Sequence, residues 1–73
     1  MPKLPVVSGK ECSKALGRLG FEESRQHGSH VVMKRDESGC VVPVLAKIKV
    51  VVLSGILKQA GVSVEECISA LGS

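Results

Sequence analysis

Two short turn signals in the middle of this chain restrict its fold more than anything else in it. His27-Gly28-Ser29 and Asp36-Glu37-Ser38-Gly39 bring glycine together with small polar residues, a composition that lets a backbone reverse within a few positions. The turns lie about ten residues apart, so the segments around them are expected to pair as an antiparallel meander. The spacing predicts strands over Phe21–Gln26, His30–Arg35 and Cys40–Leu45. Pro43 has no amide to donate, which makes the third strand an edge or a bulged strand.

Helical periodicity flanks the meander on both sides. Ser8 stands three residues before Glu11, the spacing of a capping box. Cys12, Ala15, Leu16 and Leu19 then form one apolar stripe, Lys10, Lys14 and Arg18 fall on a solvated face, and Gly20 supplies a helix stop. After the strands, Ala46–Val52 reads as a loop entering a helix. Leu53, Ile56, Leu57 and Ala60 form the next stripe, which Gly61 ends. Ser63 and Glu66 repeat the capping-box spacing ahead of Val64, Cys67, Ile68 and Leu71, with Gly72 behind them.

With 73 residues, the chain has material for one small core, so residues 1–73 are expected to form a single domain. A three-stranded meander of this size cannot cover both its faces. The expected fold is therefore α+β in two layers, a three-stranded antiparallel sheet with the helices packed on one face and a short extra C-terminal helix. Met33 and Phe21 are expected in the core, as are Cys12 and Cys67 on their helical stripes. The three cysteines, Cys12, Cys40 and Cys67, show no C-x-x-C or C-x-x-H spacing, so neither a disulfide framework nor a structural metal is expected. MPKLPVV is too short and too proline-rich for a signal peptide, and no apolar run reaches the ~18 residues of a membrane span. A cytoplasmic protein with reduced thiols follows as the expectation, with no membrane association, metal or cofactor.

Ten Lys and Arg against seven Asp and Glu leave a net charge of +3. All ten basic residues precede residue 65, together with only five of the acidic ones, so the body is basic and suits a polyanionic partner. Phe21 is the one aromatic residue, which argues against RNA-binding modules that stack several bases on aromatic rings. Both histidines fall within His27-Gly28-Ser29-His30. Imidazole is the side chain suited to proton transfer near neutral pH, and glycine lets a ligand approach the backbone closely. The plain alternative is a polar turn that happens to contain histidine. Two histidines with no carboxylate or thiolate beside them make a poor metal site.

Gly20-Phe21, Arg25-Gln26, Gly28-Ser29-His30, Val42-Pro43-Val44, and Leu53 with Ile56-Leu57-Lys58-Gln59-Ala60-Gly61 together resemble the HicA toxin family, also called YcfA-like. The quoted motifs run from Gly20 to Gly61, within a resemblance that extends over about residues 8 to 71. The resemblance implies an α-β-β-β-α fold like that of double-stranded-RNA-binding domains, in agreement with the order read from periodicity. It also implies a type II toxin–antitoxin toxin, a ribosome-independent mRNA endoribonuclease neutralised by a HicB-like antitoxin, with His30 as its catalytic residue. Many members carry a histidine two residues after the proline and a Gly-Thr pair before the second helix. Here those positions hold Leu45 and Val51-Val52.

One histidine is enough to start such a reaction, because RNA carries its own nucleophile, the 2′-OH, beside the scissile phosphate. His30 is expected as the general base on single-stranded RNA or mRNA, Gly28 and Ser29 as the residues that shape the approach, and Arg25, Lys34, Lys47 and Lys49 as phosphate contacts. Taken singly, each of those cations also reads as a solvated surface residue. The second functional reading is a non-catalytic RNA-binding or antitoxin-binding module derived from the same family.

Overall fold

Two serines start helices as their spacing predicts. In the computed structural model, which describes residues 3–72, the Ser8 hydroxyl accepts from the Glu11 amide at 3.1 Å, and the Ser8 amide donates to Glu11 Oε1 at 3.0 Å. Together they open α1, Gly9–Arg18. Ser63 and Glu66 repeat both bonds at 3.1 Å and open α3, Val64–Leu71. Each cap satisfies amides that have no partner within the helix and contributes about 1 kcal/mol. Gly20, at φ +96°, takes the left-handed position after α1. The Phe21 amide then donates to the Leu16 carbonyl at 3.0 Å, which ties Phe21 to the helix end and starts the first strand one residue later than its predicted position.

The strands are β1 (Glu22–His27), β2 (His30–Arg35) and β3 (Ser38–Pro43), paired antiparallel in the order β1-β2-β3. The third strand sits two residues ahead of its predicted Cys40–Leu45 span, for reasons found at both of its ends. At the start, Asp36 itself adopts a positive φ of +53°, so Asp36 and Glu37 suffice for the reversal, and Ser38 and Gly39 pair with Arg35 and Lys34. At the end, the Leu45 amide donates back to the Pro43 carbonyl at 2.9 Å, and the Leu45 carbonyl accepts from the Gly9 amide at 2.8 Å. Those two bonds turn the chain away from the sheet.

A second boundary also moves. The helix expected from Leu53 begins at Val50, giving α2 as Val50–Ala60. Ile48 is fully buried and bridges to Val7, its amide donating to the Val7 carbonyl at 2.6 Å. With the chain anchored there, Lys49 serves as N-cap without a side-chain cap bond, and the Leu53 amide closes the first turn on the Lys49 carbonyl at 2.9 Å. Packing thus overrides the modest helix propensity of three consecutive valines. Gly61, at φ +72°, ends α2.

Strand alternation sets the layers. Val31 and Met33 of β2 and Cys40 and Val42 of β3 are buried with Phe21, Leu16, Leu53, Ile56 and Leu57 in one cluster. Helices α1 and α2 both contact the sheet, and α3 packs on α1. The three cysteines are buried free thiols. Arg18, exposed as its spacing predicts, also donates to the Ala70 carbonyl at 2.6 Å and ties α1 to α3. Arg35 donates to the Leu19 carbonyl at 2.8 Å and lies 4.6 Å from the centre of the Phe21 ring. The result is the expected small α+β fold of the double-stranded-RNA-binding-domain type, with the helices covering one face of β2 and β3, the opposite face open, and β1 exposed along its whole length.

Candidate active site

The open face is set by register. His30, Val32 and Lys34 alternate with the buried Val31 and Met33, so they point away from the helices. On β1 their partners are His27 for His30, Arg25 for Val32 and Glu22 for Lys34. On β3, Pro43 lies opposite His30 and Val41 opposite Val32. Both histidines are exposed. As directly paired residues of an antiparallel ladder, they project from the same face of the sheet.

Two residues, Gly28 and Ser29, connect that pair. Gly28 has φ +54° and Ser29 is not in the positive region, the pattern of a hairpin turn that favours glycine at its first central position. A Cβ at Gly28 would meet nothing within 4 Å, so the glycine answers to conformation and not to crowding. Both turn carbonyls are held. Gln26 Nε2 donates to the Gly28 carbonyl at 3.3 Å, and the Val44 amide donates to the Ser29 carbonyl at 2.6 Å. The second bond pins the hairpin to the end of β3.

The four sequence-predicted cations separate into two groups. Arg25 shares the open face and lies diagonally across from His30, a relation that puts Cα atoms roughly 7–8 Å apart. Lys34 shares the face too, but four residues along β2, about 13 Å away by strand rise, and Glu22 opposite it offsets part of its charge. Lys47 and Lys49 lie off the sheet, on the connection from β3 to α2, where they flank the buried Ile48 and are exposed. That connection leaves the same end of the sheet as His30, through Pro43 and Val44. Beside these lysines, Val44, Leu45, Val50, Val51 and Val52 are exposed, Val51 at 83%.

Gly9 is a positioning residue that sequence reasoning passed over. A Cβ there would run into the Pro43 carbonyl oxygen and come within 2.9 Å of Val44 Cα and 3.0 Å of the Leu45 nitrogen. Only glycine lets α1 approach the end of β3 and hold Leu45 through its own amide. The signal was a glycine at the first helical position, where nothing local calls for one.

Among the described residues, no group of three or more His, Cys, Asp or Glu side chains is placed to hold a metal ion, and no helix is long and apolar enough to cross a membrane. The model of the HicA toxin of bacterial toxin–antitoxin systems matches residues 9–62. This chain belongs to the HicA toxin family. The match begins at Gly9, takes in α1, the meander and α2, and stops short of α3. Membership makes the chain a toxin of a toxin–antitoxin pair, with an antitoxin as its partner. Comparison with curated proteins and with solved structures returned no match.

Proposed function

We propose that this HicA-family toxin is an mRNA endoribonuclease that cleaves single-stranded or loosely structured RNA with His30 as general base. The observation that carries the reading is the position of His30: exposed on the uncovered sheet face, beside a glycine turn, with Arg25 and Lys34 on the same face. A neutral imidazole takes the proton of a ribose 2′-OH, the freed oxygen attacks the adjacent phosphorus, and the bond to the 5′-oxygen breaks. The products are a 2′,3′-cyclic phosphate and a 5′-hydroxyl. Proton transfer of this kind contributes about 10²–10⁴ in rate. Arg25, diagonally across the strand pair from His30, offsets charge on the phosphate in the transition state, while Lys34, Lys47 and Lys49 hold flanking phosphates. Gly28 and Ser29 keep the approach to His30 clear. No step calls for a metal ion, and the cytoplasm is where such a substrate is found.

An inhibitor that covers the open face blocks both RNA and His30, so a HicB-like antitoxin with acidic side chains is the partner this surface fits. Induced expression in a bacterial host tests the reading. The parent chain is expected to arrest growth, His30→Ala to relieve the arrest at equal protein level, and the antitoxin to compete with RNA for the toxin. Parent and His30→Ala equally harmless, with RNA still bound, would instead favour the non-catalytic RNA-binding module.

A further inference from the structure

The geometry points to His27 as a second catalytic residue, the general acid that protonates the leaving 5′-oxygen while His30 acts as base. This rests on the ribonuclease reading and adds a residue to it. The two histidines are direct cross-strand partners, joined by the two-residue turn. In a hairpin closed this way the last paired residues exchange backbone hydrogen bonds, which sets their Cα atoms about 5.5 Å apart with both side chains leaving one face. Two imidazoles on neighbouring strands can therefore address the two sides of one phosphate, and in-line displacement puts the attacking and departing oxygens on opposite sides of phosphorus. Both rings are exposed, and neither takes part in a side-chain hydrogen bond among the described residues, so packing gives no account of His27.

No other group on this face fills the role as well. Arg25 stays protonated at any working pH, and Lys34 with its cross-strand partner Glu22 lies about 13 Å from His30 along the strand. The hairpin is also held where a bracketing pair needs it, by Gln26 on the Gly28 carbonyl and Val44 on the Ser29 carbonyl. Nothing lies within 4 Å of the position a Cβ would take on Gly28, so the turn that joins the two histidines is uncrowded on that side.

The step balances without a further reactant. A ring nitrogen of His30 takes the 2′-OH proton, and a bond forms between the 2′-oxygen and phosphorus. The bond from phosphorus to the 5′-oxygen breaks with its electron pair on oxygen, and that oxygen takes the proton of the His27 imidazolium. His30 ends protonated and His27 neutral, and exchange with water resets both.

The test uses two oligoribonucleotides of the same unstructured sequence, one with an ordinary 5′-oxygen at the cleavage site and one with sulfur there, a leaving group that departs without protonation. The full chain and its His27→Ala, His27→Gln and His30→Ala variants are compared. Both His27 variants are expected to cut the oxygen linkage about 10²–10³-fold more slowly than the parent and the sulfur linkage within a few-fold of it, while His30→Ala loses both. Parental cutting of the oxygen linkage by the His27 variants, or equal loss on both linkages, overturns the assignment and leaves the ribonuclease reading standing. A parent inactive on both linkages overturns that reading, and the role of His27 with it.

Discussion

Gly9 and Gly17 occupy one helix and make opposite demands. At Gly9 an added methyl meets the backbone of Pro43, Val44 and Leu45, atoms with no rotamer to yield. Gly9→Ala is therefore expected to cost about 2–3 kcal/mol, as overpacking does in a closed contact. Around Gly17 nothing lies within 4 Å, so Gly17→Ala should gain about 0.5–1 kcal/mol from helix propensity alone. Urea midpoints of the two variants check the pair, and a Gly9→Ala protein as stable as the parent would mean that α1 does not need its close approach to β3. The same contrast explains what could be read at this scale. The histidine window stands out in the sequence because two imidazoles and a glycine fall within four residues. The requirement at Gly9 is invisible there, because the atoms that impose it lie more than thirty positions away.

Elements were legible where a local signal starts or stops them. Both capping boxes form at the serines that announce them, and Gly20 and Gly61 end their helices with positive φ. The start of α2 was not legible, since Val50, Val51 and Val52 suit a strand equally well and Lys49 offers no cap. What decides it is Ile48, held to Val7 across the molecule. The uncapped start predicts a gain. Lys49→Ser places a hydroxyl within reach of the first-turn amides and removes a cation from the positive end of the helix dipole, so it should stabilise the fold by about 0.5–1 kcal/mol. Under the proposed function the same change removes a phosphate contact. Thermal denaturation and RNA titration of that one variant should therefore move in opposite directions, and a variant that gains stability with unchanged RNA affinity would take Lys49 out of the binding surface.

For the whole molecule, the two-layer arrangement was readable because a meander this short can cover only one face. The identity of the open face needed the register, which the two turns impose and which their composition does not specify to the residue. The covered side predicts a pH limit. Burial, with smaller contributions from Cys67 and Cys40, pushes the Cys12 thiol up from 9.0 to about 12, and burial also raises Cys40 and Cys67. Because the folded state holds these protons more tightly, this stability is fully present below the unfolded thiol pKa and is lost as pH rises toward the folded value. Between pH 8 and pH 10, Cys12 alone should cost about 1 kcal/mol, and denaturant midpoints of Cys12→Ala should show a shallower fall than the parent. The open side predicts a salt dependence. Four phosphate contacts at about −0.7 each give a slope of log affinity on log salt near −2 to −3, and an RNA affinity independent of salt would contradict the proposed surface. The most direct measurement of the central claim is the cleavage rate of an unstructured RNA at protein excess, in a metal chelator, for the parent and for His30→Ala. Rapid cutting by the parent to a 2′,3′-cyclic phosphate and a 5′-hydroxyl, with a loss of at least about 10²-fold in the variant, is the expected result. Equal rates in the two proteins, or a parent that cuts only when a divalent ion is restored, would contradict it.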